Sequence, residues 1–128
     1  MEKYSKQKKE IYDFIKNANN HPTADEIYFQ LNETSSRISR GTIYRNLNLL
    51  VEKNIIKRIT IPNHPDRFDF ICNEPHNYAI CSECGRVFDF HYELDINKLN
   101  STISNETELV DFSNEFTIYG ICNLCKKI

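Results

Sequence analysis

The chain has no tryptophan, only three glycines and only four prolines in 128 residues. Breakers are therefore confined to a few places: Asn19-Asn20-His21-Pro22, the run Pro62-Asn63-His64-Pro65-Asp66, and Asn73-Glu74-Pro75. No apolar run is long enough for a membrane span, and no secretion signal is evident. These absences predict a soluble, cytoplasmic protein. They also argue against a disulfide framework, so the five cysteines point to metal ligation. Cys72 is left over and reads as a partly buried free thiol. The length suits one domain, or two small ones that each need support.

The other four cysteines form two pairs, Cys81-Ser-Glu-Cys84 and Cys122-Asn-Leu-Cys125. Four thiolates suit tetrahedral zinc, and a two-residue spacer turns both sulfurs of a pair toward one ion. Such a zinc ties the C-terminal end to residue 81 and closes the segment between them. A redox CxxC needs one pair and a thioredoxin-like βαβ context, which is missing. A hydrolytic zinc needs an open position, which four cysteines do not leave. No enzyme is expected.

The net charge of −2 hides an asymmetry. Residues 1–70 carry 12 Lys and Arg against 9 Asp and Glu, a balance of +3. Residues 71–128 carry 4 against 9, a balance of −5. A basic half joined to an acidic half fits a nucleic-acid binder with a separate control module.

Ile11, Phe14, Ile15 and Ala18 recur at helical spacing, which predicts a helix from Ser5 to Asn17. Thr23 and Glu26 make a capping box for a second helix, Ala24 to Leu31. Ser39 caps a third, reaching about Lys53, with Ile43, Leu47, Leu50 and Val51 inward. Arg40, Tyr44, Arg45 and Asn48 occupy its other face near the N-terminal end, the arrangement a recognition helix needs to enter a major groove. The same face also fits a merely solvated surface. Strands are predicted at Ile55–Ile61 and Arg67–Ile71 around a turn, completing a winged helix-turn-helix. Lys57, Arg58 and Arg67 place charge where phosphate would lie.

Beyond a hinge at residues 73–77, short strands are predicted at Tyr78–Cys81 and Arg86–Phe90, a helix over Leu94–Ser104, and more strand at Leu109–Phe112 and Phe116–Ile121. The last strand has two apolar faces, Phe116 with Ile118 and Tyr119 with Ile121, which suits an intersubunit sheet. The expected fold is α+β: residues 1–72 a winged-helix DNA-binding domain, residues 78–128 a small α/β dimerisation domain with a four-cysteine zinc site. A homodimer would match a palindromic duplex.

The chain resembles the ferric uptake regulator family of metal-dependent repressors over nearly its whole length. The resemblance rests on His21-Pro-Thr-Ala-Asp-Glu-Ile-Tyr28, Ile38-Ser39 with Thr42-Ile-Tyr-Arg-Asn-Leu-Asn-Leu-Leu-Val-Glu-Lys53, Arg67-Phe-Asp69, His76, Cys81 through Phe90, and Tyr119-Gly-Ile-Cys122 with Cys125. It implies operator contacts by Tyr44 and Arg45. It implies structural zinc on the four cysteines and a regulatory Fe(II) or Mn(II) on His21, Asp69, His76 and Asp89, between the domains. Metal there would set the angle between domains and so the DNA-competent shape. Asp89 and the following Phe90-His91-Tyr92 resemble the peroxide-sensing branch, where Fe(II) and hydrogen peroxide oxidise a ligand histidine and the repressor lets go. His21 and His76 would be the targets. The chain departs from that branch at Tyr78, where a second histidine is usual. The site is then four-coordinate plus water, weaker, or completed by another group, for which His91 is the candidate. The additional metal site of the family is not expected, since its histidine-rich run is here Glu74-Pro-His-Asn-Tyr78. An iron, manganese or zinc uptake regulator is the alternative within the family. A zinc-stabilised module without DNA binding is the alternative outside it.

Overall fold

The computed structural model describes residues 2–18, 20–34, 37–71, 77–92, 95–110 and 116–126. Three helices come first: α1 (Glu2–Asn17), α2 (Ala24–Thr34) and α3 (Arg40–Glu52). The start of α2 is the expected capping box. Glu26 N–H donates to Thr23 Oγ1 at 3.2 Å, and Thr23 N–H donates to Glu26 Oε1 at 3.4 Å. Asn32 closes the turn into α3, donating to the carbonyls of Tyr28 and Ile38 and accepting from Ile38 N–H. Ser39 caps α3 by accepting from Thr42 N–H. The apolar stripes meet in one core of Ile11, Ile15, Ile27, Ile43, Leu47 and Leu50, joined by Ile56 and Phe68 from the hairpin. Each such side chain contributes about 1.5–3 kcal/mol by leaving water.

The hairpin pairs β1 (Ile56–Ile59) with β2 (Arg67–Phe70), antiparallel, with Lys57 opposite Asp69. Both strands are shorter than expected; past the end of β1, Ile61 is buried in a second cluster with Ile59, Tyr78 and Ile80, against which Val87 packs. That cluster packs the hairpin against the C-terminal sheet. Its strands are β3 (Asn77–Cys81), β4 (Val87–Phe90) and β5 (Thr117–Gly120), in the order β4-β3-β5. β3 runs antiparallel to β4 and parallel to β5.

The helix α4 (Ile96–Glu106) lies on the β4-to-β5 connection, two residues later than its spacing suggested, and buries none of its residues. Asp95 caps it through Lys98 N–H. Leu109 and Val110 are not strand, and residues 111 and 112 of that expected strand lie outside the described residues. A one-turn helix, α5 (Asn123–Lys126), was not anticipated. It lies within and just past the second cysteine pair and closes with Lys126 N–H donating to Cys122 O. The described part is an α+β fold, with no helix long and apolar enough to cross a membrane.

Candidate metal centres and nucleic-acid interface

The four paired cysteines converge. Cys81 comes from the end of β3, Cys84 from the turn after it, and Cys122 and Cys125 from the loop after β5 and from α5. Two bonds hold the first knuckle, Cys81 N–H to Arg86 O and Gly85 N–H to Cys81 O, both 2.9 Å. A third, Ser82 N–H to Gly120 O at 2.8 Å, docks it on the end of β5. The Sγ atoms of Cys81 and Cys125 are 3.8 Å apart, and those of Cys84 and Cys122 are 3.9 Å apart. Zinc–sulfur bonds of about 2.3 Å in a tetrahedron put sulfurs about 3.8 Å from one another. The donor set therefore fits structural zinc in both chemistry and spacing.

Arg86 reaches Cys122 Sγ at 3.3 Å, and its guanidinium lowers that thiol to about 6. Cys81 is also lowered, first by the N–H of Cys122, which points at its sulfur. Cys125 is pushed up to about 12, chiefly by its contact with the Cys122 sulfur. Two thiols poised to ionise beside one that resists are what crowded sulfurs give before a cation neutralises them.

The second group lies where the two halves meet. The loop His21–Thr23 runs beside β2: Phe68 N–H donates to Pro22 O at 2.9 Å, and Thr23 bridges Arg67. This sets His21 next to Asp69. Its Nε2 is 3.6 Å from Asp69 Oδ2 and 3.1 Å from Asp89 Oδ1 on β4. His21 and Asp69 are buried, whereas Asp89 is exposed. His21 Nδ1 is also buried and finds no hydrogen-bond partner among the described residues. Two carboxylates facing one imidazole nitrogen concentrate negative charge that a divalent cation would neutralise. Mixed nitrogen and oxygen donors suit Fe(II) or Mn(II).

His76 and Cys72 lie outside the described residues. His91 does not join this group: β4 ends at Phe90, so the strand that was to carry His91 onto Asp89's face stops short, and His91 is exposed. Tyr78 is no spare ligand either, since its hydroxyl donates to Asp69 Oδ2 at 3.0 Å. The alternation of strand residues did not reveal that bond, because it crosses from one sheet to another.

On α3, Tyr44 and Arg45 are exposed, and Arg45 is steadied by Thr42 Oγ1 at 3.1 Å. Arg40 is instead paired with Asp25 and lies 4.4 Å over the Tyr28 ring, bracing α3 against α2. Asn48 accepts from Arg58, which also pairs with Asp66 at 3.1 Å and so ties α3 to the hairpin.

The expected phosphate contacts of the hairpin need correcting. Arg67 turns inward, donating to His21 O at 2.8 Å and Gly85 O at 2.9 Å. Lys57 lies 4.8 Å over the Tyr78 ring, where burial pushes its amine down and Asp69 pulls it back up. Both are drawn in because the hairpin packs against the knuckle and β3, a contact no local pattern displays.

A profile of the ferric uptake regulator (FUR) family matches residues 2–119. The peroxide operon regulator of Bacillus subtilis is 33% identical over 121 residues, spanning 94% of this chain and 82% of that protein. The Helicobacter pylori ferric uptake regulator, described with three functional metal-binding sites, superposes with a TM-score of 0.83 at 22% identity, covering 97% of this chain and 84% of that one. The iron-bound regulator of Francisella tularensis has a TM-score of 0.79 at 26% identity, covering 94% and 91%. With a four-cysteine cluster suited to zinc and a His/Asp group suited to a second divalent metal, the chain belongs to the ferric uptake regulator family and is a metal-responsive regulator rather than an enzyme.

Proposed function

We propose that the protein is a metal-dependent repressor that binds operator DNA as a homodimer and responds to hydrogen peroxide by oxidation of a ligand histidine. In this reading residues 1–72 bind DNA, residues 73–77 form the hinge and residues 78–128 dimerise. Cys81, Cys84, Cys122 and Cys125 hold structural zinc. His21, Asp69 and Asp89 hold the regulatory metal together with His76. The observation that carries the reading is that His21 and Asp69 belong to the helical half while Asp89 belongs to the C-terminal sheet, with His21 Nε2 within 3.6 Å of both carboxylates. Whatever bridges them fixes one half against the other. In a dimer, that fixes the distance between two recognition helices.

Bound Fe(II) would supply the chemistry that turns peroxide into an oxidant of imidazole. The chain's own part is to hold His21 buried, with Nε2 toward the carboxylates, so that an oxidant formed there meets the ring carbons first. A ring that has gained oxygen ligates poorly, so the tie between halves loosens and the DNA-competent population falls. The 33% identity to the peroxide operon regulator supports this over the other family readings. The second reading, an uptake regulator without oxidation, is favoured by one observation: Tyr78 stands where the peroxide-sensing branch has a further histidine ligand, and its hydroxyl is engaged by Asp69.

Tyr44, Arg45 and Asn48 are assigned to the DNA face, with Arg40 and Arg58 setting its position. Selection from a random duplex pool, with Mn(II) present, tests the repressor. The wild type is expected to enrich a palindromic sequence, and Arg45→Ala to weaken binding by about 1–3 kcal/mol with the dimer intact. A wild type that enriches nothing would leave a zinc-stabilised module without DNA binding.

A further inference from the structure

Tyr78 is 2% exposed, and a buried phenol must place its O–H. It donates to Asp69 Oδ2 at 3.0 Å. Its ring meets the His21 ring edge-on, with centroids 5.6 Å apart and planes at 84°. The Lys57 ammonium lies 4.8 Å from the ring's centre. One side chain thus touches two of the residues assigned above to the regulatory metal and is itself held by a third element. The hydrogen bond takes one lone pair of Oδ2 and sets the plane of the carboxylate. The edge contact limits the tilt of the imidazole. Neither effect requires the phenol oxygen to touch a metal.

We propose that Tyr78 is a positioning residue of the His21/Asp69/Asp89 site. Through its O–H it aims Asp69 at a divalent cation, and by filling the space an imidazole would use it keeps the number of protein donors low. The proposal rests on the metal-site reading given above. A hydrogen-bonding partner of a ligand typically changes metal affinity by about 10–100-fold when removed, and that is the effect expected here.

The test uses the full-length, zinc-loaded protein. Mn(II) is titrated in, and its free-ion EPR signal is followed for the wild type, Tyr78→Phe, Tyr78→His and His21→Ala. The d–d absorption of Co(II) is recorded for the same four. His21→Ala is expected to abolish binding. Tyr78→Phe should weaken Mn(II) by about 10–100-fold and shift the Co(II) bands, with melting of the metal-free protein little changed. Tyr78→His should bind at least as tightly as the wild type, with weaker Co(II) bands from a higher coordination number. Wild-type affinity in Tyr78→Phe, or weaker affinity with unaltered Co(II) bands, overturns the positioning role and leaves the site standing. A folded Tyr78→His that binds less tightly overturns the claim about donor number. Mn(II) binding that survives His21→Ala removes the site, and the proposal with it.

Discussion

At the scale of single residues, Arg86 sets how one zinc-binding thiol, Cys122, behaves before metal arrives. Its guanidinium, 3.3 Å from Cys122 Sγ, holds that thiol near 6, so at pH 7 Cys122 is mostly thiolate. Cys125, pushed up to about 12, stays protonated. Alkylation of the reduced, metal-free protein at pH 7 is therefore expected to label Cys122 well before Cys125, read by peptide mass mapping. Arg86→Ala should slow Cys122 labelling by about tenfold, because its thiol returns toward the ordinary range. Equal labelling rates in the variant would deny Arg86 that role. The zinc cysteines were legible in the sequence because ligand type and a two-residue spacer are local facts. The engagement of Tyr78 with Asp69 was not, because it joins two strands from different sheets.

At the scale of elements, the contact between the hairpin and the first zinc knuckle depends on Gly85. Its φ is +78°, and a Cβ there would sit 2.8 Å from His64 Cγ. His64 Nε2 in turn lies 3.2 Å from Ser82 O, and Arg67 reaches Gly85 O. Gly85→Ala must therefore adopt a left-handed backbone and displace His64. We expect a loss of about 1–3 kcal/mol in urea unfolding, together with weaker metal-dependent DNA binding. Unchanged stability would mean that the knuckle moves freely away from His64.

Helices α1 to α3 were readable because the apolar spacing, the Thr23/Glu26 box and the Ser39 cap all agree. Their observed bounds lie within three residues of the expected ones. The inward turn of Arg67 and Lys57 was not readable. Long basic side chains follow whichever tertiary partner is near, and here the partners are two carbonyls and an aromatic ring. The one-turn α5 is too short to leave a periodic pattern.

At the scale of the whole molecule, the C-terminal sheet leaves apolar groups uncovered. Ile118, Tyr119, Ile121 and Leu124 are each more than half exposed, all of β5 is exposed, and α4 buries none of its residues. In the proposed homodimer a second copy would cover this face. Ile118→Asp is accordingly expected to yield monomer by light scattering at micromolar concentration while the zinc content stays whole. A variant that remains dimeric would place the interface elsewhere.

The two halves meet in the cluster of Ile59, Ile61, Tyr78 and Ile80 and in the His21, Asp69 and Asp89 group beside it. In the proposed function, oxidation at this junction releases DNA. Peptide mass spectrometry after Fe(II) loading and brief peroxide exposure tests it most directly, with a Mn(II)-loaded control. One added oxygen is expected on the His21 or His76 peptide with iron and none with manganese. Unmodified histidines in protein that has retained its iron would contradict peroxide sensing and leave a metal-uptake regulator as the function.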